Sequence, residues 1–264
     1  MIKKNYFVDS HCHLDFLQND GLDVARVLSR ARDNGVERFL SISTKMETFP
    51  TILQIAEKFS GVYASVGVHP HDSDGAVGVI SVDDLVIATQ HEKVIAIGES
   101  GLDFFYDNSD RMNQEKSFRM HLAAARQADV PMIVHSRSAD VATLDILCSE
   151  SDGTKLQGLL HCFSSGRELA MGALDLGFYI SLSGILTFPK AEEIRSIAKD
   201  IPLDKLLLET DSPYLAPLPY RGKKNEPAYL PETAKILADI KNISVDEIKT
   251  ITTDNFFRLF KKAA

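Results

Sequence analysis

The chain has 264 residues, 44% of them hydrophobic and 25% charged, and a net charge of −8. Such values are ordinary for a globular protein, and this length buries a full core without staples. They exclude a membrane span, since no run of about 18 apolar residues occurs, and attachment to nucleic acid by overall charge alone, which needs a basic chain.

Cys12, Cys148 and Cys162 are odd in number and lack Cys-x-x-Cys spacing, which speaks against a disulfide framework and a thiolate zinc site. The start, Met1 to Asn5, has a basic touch but runs straight into a strand, with no apolar segment of signal-peptide length. A cytoplasmic location is therefore expected.

Tyr6-Phe7-Val8 opens the first strand, which ends in His11-Cys12-His13. Side chains along a strand alternate faces, so His11 and His13 point one way and Cys12 the other. Two neighbouring imidazoles can grip a metal ion; a solvated strand end is the plainer reading. A helical stripe between Gly21 and Gly35 leads to a strand at Glu37–Ser43, a helix at Glu47–Phe59 and a strand at Val62–His69. Ser81–His91 is expected as a helix and Val94–Glu99 as the fourth strand. A long helix at Arg111–Asp129 precedes the fifth strand, Val130–His135. Helices at 138–150, 168–176 and 190–199 separate and follow strands at Leu156–Phe163 and Phe178–Ser183, and Lys205–Asp211 is the eighth strand. Leu230–Ile240 and Val245–Phe260 read as closing helices, with Lys261 and Lys262 as a solvated tail.

Eight near-continuously apolar strands alternating with helices predict parallel strands buried on both faces. At this length the expected fold is an α/β (β/α)8 TIM barrel with its chemistry at the C-terminal rim. A doubly wound open sheet is the alternative, but no G-x-G-x-x-G or Walker pattern follows the first strand. No Pro/Gly/Ser-rich linker divides the chain, so residues 1–264 are expected to form one barrel domain.

His11 and His13 end the first predicted strand, Glu99 the fourth, His135 the fifth, His161 the sixth and Asp211 the eighth. Six such residues on the rim where barrel enzymes work point to metal. They exceed what one tetrahedral ion with an open position needs, so two divalent ions about 3.5–4 Å apart are expected, with Glu99 as the bridge. Imidazole and carboxylate donors suit zinc, manganese, nickel or iron(II) rather than calcium; magnesium stays among the candidates. Cys12 and Cys162 each neighbour one of these residues and so face away from the site, as small packing residues.

The chain resembles the TatD family of metal-dependent hydrolases, within the amidohydrolase-like superfamily. The resemblance rests on Asp9-Ser10-His11-Cys12-His13-Leu14-Asp15, Gly67-Val68-His69-Pro70-His71, Ile97-Gly98-Glu99-Ser100-Gly101-Leu102-Asp103, Ile133-Val134-His135-Ser136-Arg137, Leu160-His161-Cys162-Phe163-Ser164 and Leu208-Glu209-Thr210-Asp211-Ser212-Pro213-Tyr214. It keeps its order over nearly the whole chain, with no departure at a metal position. It implies that His11, His13, Glu99 and Asp211 hold one ion, and that Glu99, His135 and His161 hold the other. It also implies a phosphodiesterase-type activity, usually described as a DNase. Two related branches bridge their ions with a modified lysine, and Glu99 stands against these.

The expected reaction is hydrolysis of a phosphodiester by a hydroxide generated between two ions, with Asp211 as general base and Glu99 as its catalytic partner. Bound cations would supply the local positive charge that the acidic chain lacks. His69, ending the third strand, reads as a phosphate contact or a solvated rim histidine. Arg137, and Arg221 in a cluster with Lys223 and Lys224, read as phosphate contacts or solvated charges. Tyr214 either stacks on a base or packs. His121 is expected to be structural, and His91, on the opposite rim, to carry no chemistry. The expected substrate is DNA, single-stranded and cut from an end, with no membrane partner and a monomer sufficient. An amide or carboxyl-ester hydrolase such as an aminoacyl-tRNA deacylase is the alternative, and a binding protein with an inert metal site is the third class.

Overall fold

The computed structural model describes residues 5–106, 108–151 and 156–264; the basic start at 1–4 lies outside them. Eight strands, β1 (Phe7–Cys12), β2 (Val36–Ser41), β3 (Val62–Val66), β4 (Val94–Asp103), β5 (Met132–Arg137), β6 (Gly158–Leu160), β7 (Tyr179–Leu182) and β8 (Leu206–Leu208), lie side by side in chain order. All seven neighbouring pairs are parallel. The helices between and after them are α1 (Leu14–Asn19), α2 (Val24–Asp33), α3 (Phe49–Lys58), α4 (Ser73–Ala76), α5 (Val82–Ala88), α6 (Arg111–Ala128), α7 (Asp140–Glu150), α8 (Arg167–Asp175), α9 (Glu192–Asp200), α10 (Leu230–Lys241) and α11 (Val245–Leu259). The (β/α)8 expectation holds.

Period and capping explain the elements. In α2 the buried residues Val24, Val27, Leu28 and Ala31 recur at helical spacing, and Asp23 accepts the Ala25 N–H at its start. The long α6 begins where Asp110 accepts the N–H groups of Met112 and Asn113, and ends at Asp129 in the left-handed region. Inside the barrel Val8, Leu40, Ile95, Ile133, Leu159, Tyr179 and Leu207 form one apolar cluster, which Phe256, Leu259 and Phe260 of the C-terminal segment close from below. Two residues on from Ile133, Leu159 and Leu207 stand His135, His161 and Glu209. Period two thus carries apolar side chains at the foot of the barrel and polar ones at its rim.

β8 is short, and the barrel closes onto β1 chiefly beyond its end. The Asp211 N–H donates to the His11 carbonyl at 2.9 Å, and the His13 N–H to the Ser212 carbonyl at 2.8 Å. Below these bonds Asp9 accepts the Thr210 N–H at 2.9 Å and its hydroxyl at 2.5 Å. The seam is therefore laced by residues adjoining His11, His13 and Asp211.

Several boundaries differ from expectation. Glu99 does not end the fourth strand: β4 continues to Asp103, and its register against β5 slips between Ile97 and Ser100. Gly98 and Gly101 permit this, with φ of +121° and +152°, values that residues with a Cβ rarely adopt. β5 likewise passes His135 to reach Arg137. His13 lies just outside β1 as the residue preceding α1, a short helix that the alternation pattern hid. Lys262 is not a solvated tail: its ammonium donates to the carbonyls of Thr89, His91 and Val94, tying the C-terminus to the foot of the barrel. Among the described residues no helix is long and apolar enough to cross a membrane.

His121 is the core histidine expected. Its Nδ1–H donates to the Ser117 carbonyl at 2.7 Å, and its Nε2 accepts the Val68 N–H at 2.9 Å, holding the turn that carries His69. Burial pushes its pKa down to about 4. The native state therefore keeps it neutral while the unfolded chain takes up a proton below about pH 6.5. Its contribution is complete above pH 6.5 and is lost as the pH falls toward 4, by about 3 kcal/mol. In urea titrations across that window, His121→Gln should show a shallower fall of stability with pH than the parent; an equal slope would refute the assignment.

Candidate metal centre

Glu99 stands at the middle of the rim, almost fully buried, and its two oxygens face different partners. Oε2 lies 3.3 Å from His11 Nε2 and 4.0 Å from His13 Nε2. Asp211 Oδ1 lies 3.5 Å from each of those nitrogens, which are 3.3 Å apart. Four donors around one cation at about 2.1 Å would be spaced by roughly 3.4 Å, and His11, His13 and Glu99 lie close enough together to hold one, with Asp211 beside both imidazoles. Oε1 of Glu99 lies 2.8 Å from His161 Nε2 and 2.9 Å from His135 Nδ1, themselves 3.1 Å apart. This second triad is tighter, as in charge-assisted hydrogen bonds.

Its protonation explains why. Burial alone would lower the pKa of His161, but Glu99 and Glu209 outweigh it and hold the ring well above the ordinary imidazole value. His135 is likewise raised against burial by Asp103 and Glu99, and His13 by Asp211 and Glu99. His11 goes the other way. Burial lowers it, and so does His161, whose ring stacks on it at 4.0 Å. Despite burial, the surrounding histidines keep Glu99 ionised well below the usual carboxylate range, and His13 and His11 hold Asp211 down. The cluster is thus arranged around positive charge, and protons and metal ions compete for it. Three overlapping groups could hold an ion: His11, His13 and Glu99; His69, Glu99 and His135; and His11, His161 and Glu209.

The partners behind these rings settle which nitrogen faces inward. Asp103 Oδ2 lies 3.3 Å from His135 Nε2, leaving Nδ1 toward Glu99. Glu209 Oε1 lies 3.4 Å from His161 Nδ1 and accepts the Cys162 N–H at 2.7 Å, leaving Nε2 toward Glu99. Glu209 therefore backs the ring rather than facing the cluster's centre. Carboxylates placed behind histidines in this way orient the ring and raise its basicity. We expect Glu209→Gln to weaken Mn²⁺ binding by about 10- to 100-fold with the fold intact. Calorimetric titration of the metal-free protein checks this; unchanged affinity would refute it.

The structure brings His11, His13, Glu99, His135, His161 and Asp211 into one cluster. It also brings in His69, which is no solvated rim residue: its side chain is largely buried and its Nε2 lies 3.4 Å from Glu99 Oε1. His69 Nδ1 accepts the His71 N–H, and burial keeps the ring neutral, so Nε2 carries the proton and faces Glu99. Arg137 is exposed, with its guanidinium 4.1 Å from the Phe105 ring centre and 4.8 Å from that of Tyr106. Arg221 sits 4.0 Å over Phe188, and Lys224 pairs with Asp20, so the basic cluster is partly engaged within the protein. Tyr214 is half exposed, edge-on to His13 and Phe16. Cys12 is buried in the outer core, and Cys162 Sγ meets Ser183 Oγ, so neither thiol joins the cluster. His91 pairs with Glu57, away from the rim.

Asp103 and Glu209 are the residues that the strand-end argument passed over. Period two was the signal: Asp103 is four positions from Glu99 on one strand, and Glu209 is two after the interior Leu207.

A family model described as TatD related DNase matches residues 8–261. The metal-dependent hydrolase YcfH of Escherichia coli K12 is 44% identical over 257 residues, covering 97% of this chain and 96% of its own. YabD of Bacillus subtilis, also named a metal-dependent hydrolase, is 37% identical over 255 residues, 96% of this chain and 98% of its own. The crystal structure of YjjV, a TatD homologue from Escherichia coli K12, superposes with a TM-score of 0.87 at 31% identity, covering 99% of both chains.

Proposed function

Since the chain belongs to the TatD-related DNase family of metal-dependent hydrolases, we propose that it hydrolyses phosphodiester bonds of DNA, removing nucleotides from the end of a single strand. The observation that carries this reading is the division of Glu99: one oxygen toward His11 and His13, the other toward His135 and His161. A carboxylate split between two donor sets is the arrangement that a pair of divalent ions uses in phosphoryl-transfer sites. We assign His11, His13 and Asp211 to one ion, His135 and His161 to the other, and Glu99 to both.

When bound, such ions supply an acidified water and a clamp on the phosphoryl oxygens. The chain's own groups do the rest. Asp211 is ionised and has Oδ1 at the edge of the cluster, where it takes the proton from the attacking water as general base. His69, neutral and protonated on Nε2, places that N–H beside Glu99. Asp103 and Glu209 keep His135 and His161 turned toward the centre. Arg137 presents a guanidinium on the same rim for a substrate phosphate, as does Arg221 on the other side.

Purified protein given Mg²⁺ or Mn²⁺ should release mononucleotides from single-stranded DNA, and Asp211→Ala should cut the rate by about 10³-fold or more. Equal release by both proteins would overturn the reading. An aminoacyl ester in the same assay, hydrolysed while DNA is untouched, would replace it by carbonyl-ester chemistry.

A further inference from the structure

On the same rim as the metal cluster, the loops that follow β4, β5 and β6, with α7 and Glu193 of α9, border an open cleft of about 780 Å³. That size is typical of a small-molecule site. Its wall includes Phe105 and Arg137, and its floor includes Asp140, Asp145 and Glu193. Phe105 is 58% exposed, uncommon for so large an apolar ring. The Arg137 guanidinium covers it at 4.1 Å, and Tyr106 meets it edge-on at 4.8 Å. Its backbone N–H, like that of Tyr106, donates to Asp103 Oδ1. The other oxygen of Asp103 faces His135. One carboxylate therefore positions both a ring of the metal cluster and the aromatic wall of the cleft.

We propose that this cleft is a nucleoside subsite, in which Phe105 stacks on the base of the terminal nucleotide whose phosphodiester lies at the metal cluster. The proposal rests on the phosphodiesterase reading above and adds to it the unit that is recognised and the residue that recognises it. An exposed aromatic ring at the mouth of a cleft is what a base needs for sequence-tolerant stacking. The charges select the unit further. Among the described residues Arg137 is the only cation of the lining, against the carboxylates of Asp140, Asp145 and Glu193. Asp140 is occupied by the Gly166 N–H at 2.7 Å; Asp145 and Glu193 are exposed. Such a floor accepts hydrogen bonds from base amino groups and sugar hydroxyls and repels a second phosphate. A strand therefore ends in the cleft rather than threading through it.

The test compares an oligonucleotide whose two terminal residues carry bases with the same oligonucleotide bearing abasic sugars at both ends. The Mn²⁺-loaded protein should prefer the base-bearing ends by tenfold or more in kcat/KM. Phe105→Ala should reduce that ratio to within about twofold, and Phe105→Tyr should retain it. Phosphorylating both ends should slow the parent severalfold, and Asp145→Asn with Glu193→Gln should relieve much of that penalty. A ratio unchanged in Phe105→Ala would overturn the subsite. If the parent cuts no DNA at all, the phosphodiesterase reading fails by itself. The cleft is then judged by titrating deoxycytidine monophosphate into the Mg²⁺-loaded protein: binding weakened tenfold or more by Phe105→Ala sustains it, and equal binding by both proteins overturns it.

Discussion

Glu99→Gln is expected to abolish hydrolysis, by about 10⁴-fold or more, and to leave the purified protein holding at most one divalent ion after loading. The substitution conserves shape and removes only the charge and one acceptor. Every histidine of the cluster loses by it. Glu99 sits among His11, His13, His69, His135 and His161 at 2.8 to 4.0 Å, and an amide N–H₂ in place of either oxygen faces imidazole nitrogens that expect an acceptor. The metal-free protein offers a second readout. His161 is raised well above its ordinary pKa, burial notwithstanding, by Glu99 and Glu209. Its favourable contribution is complete below the unfolded value near pH 6.5 and is lost as the pH rises through the folded value. With glutamine at 99 that raise is much smaller, so stability of the metal-free protein should fall less as the pH rises above 6.5. Activity within tenfold of the parent, or two ions retained in elemental analysis, would refute the bridging role.

Gly101→Ala is the backbone counterpart and should be severely damaging for a single added methyl. Gly101 pairs with His135 across β4 and β5, and a Cβ there would lie 2.0 Å from the His135 carbonyl oxygen. Its φ of +152° is closed to alanine as well. The two strands must part, and they carry Glu99, Asp103 and His135. We expect a loss of about 4 kcal/mol or more in urea denaturation, or failure to accumulate folded protein. Gly21→Ala is the control, with positive φ but open space around the added carbon, and should cost about 1 kcal/mol. Similar losses for both would show that strain alone, not the strand contact, governs position 101.

The barrel was legible because its strands are buried on both faces and therefore read as continuous apolar runs. The six principal cluster residues were legible because each stands just past such a run or within its last turns. What was not legible depended on contacts between strands. Gly98 and Gly101 look like strand terminators in a linear reading, yet they carry β4 past Glu99 to Asp103. His69 could be placed on the rim from its position, but its burial and its proton on Nε2 depend on His71 and on the Val68 turn held from α6. Arg137 reads as a free cation, and only the fold reveals that Phe105 and Tyr106 lie beneath it. Lys262 reads as tail because nothing local announces the three carbonyls waiting at the foot of the barrel.

The seam between β1 and β8 also sets an order of events during synthesis. His11 and His13 are synthesised long before Asp211 and before Thr210, whose contacts to Asp9 span 201 positions. Domains that fold during synthesis begin from the N-terminal side, yet here the first strand has no final partner on one edge until the eighth has emerged. The nascent chain can assemble His135 with Glu99 and later His161 before it can complete the donor set around His11. The two halves of the cluster around Glu99 therefore come together at different times. The half that holds His11 and His13 completes only when the segment after β8 has met β1.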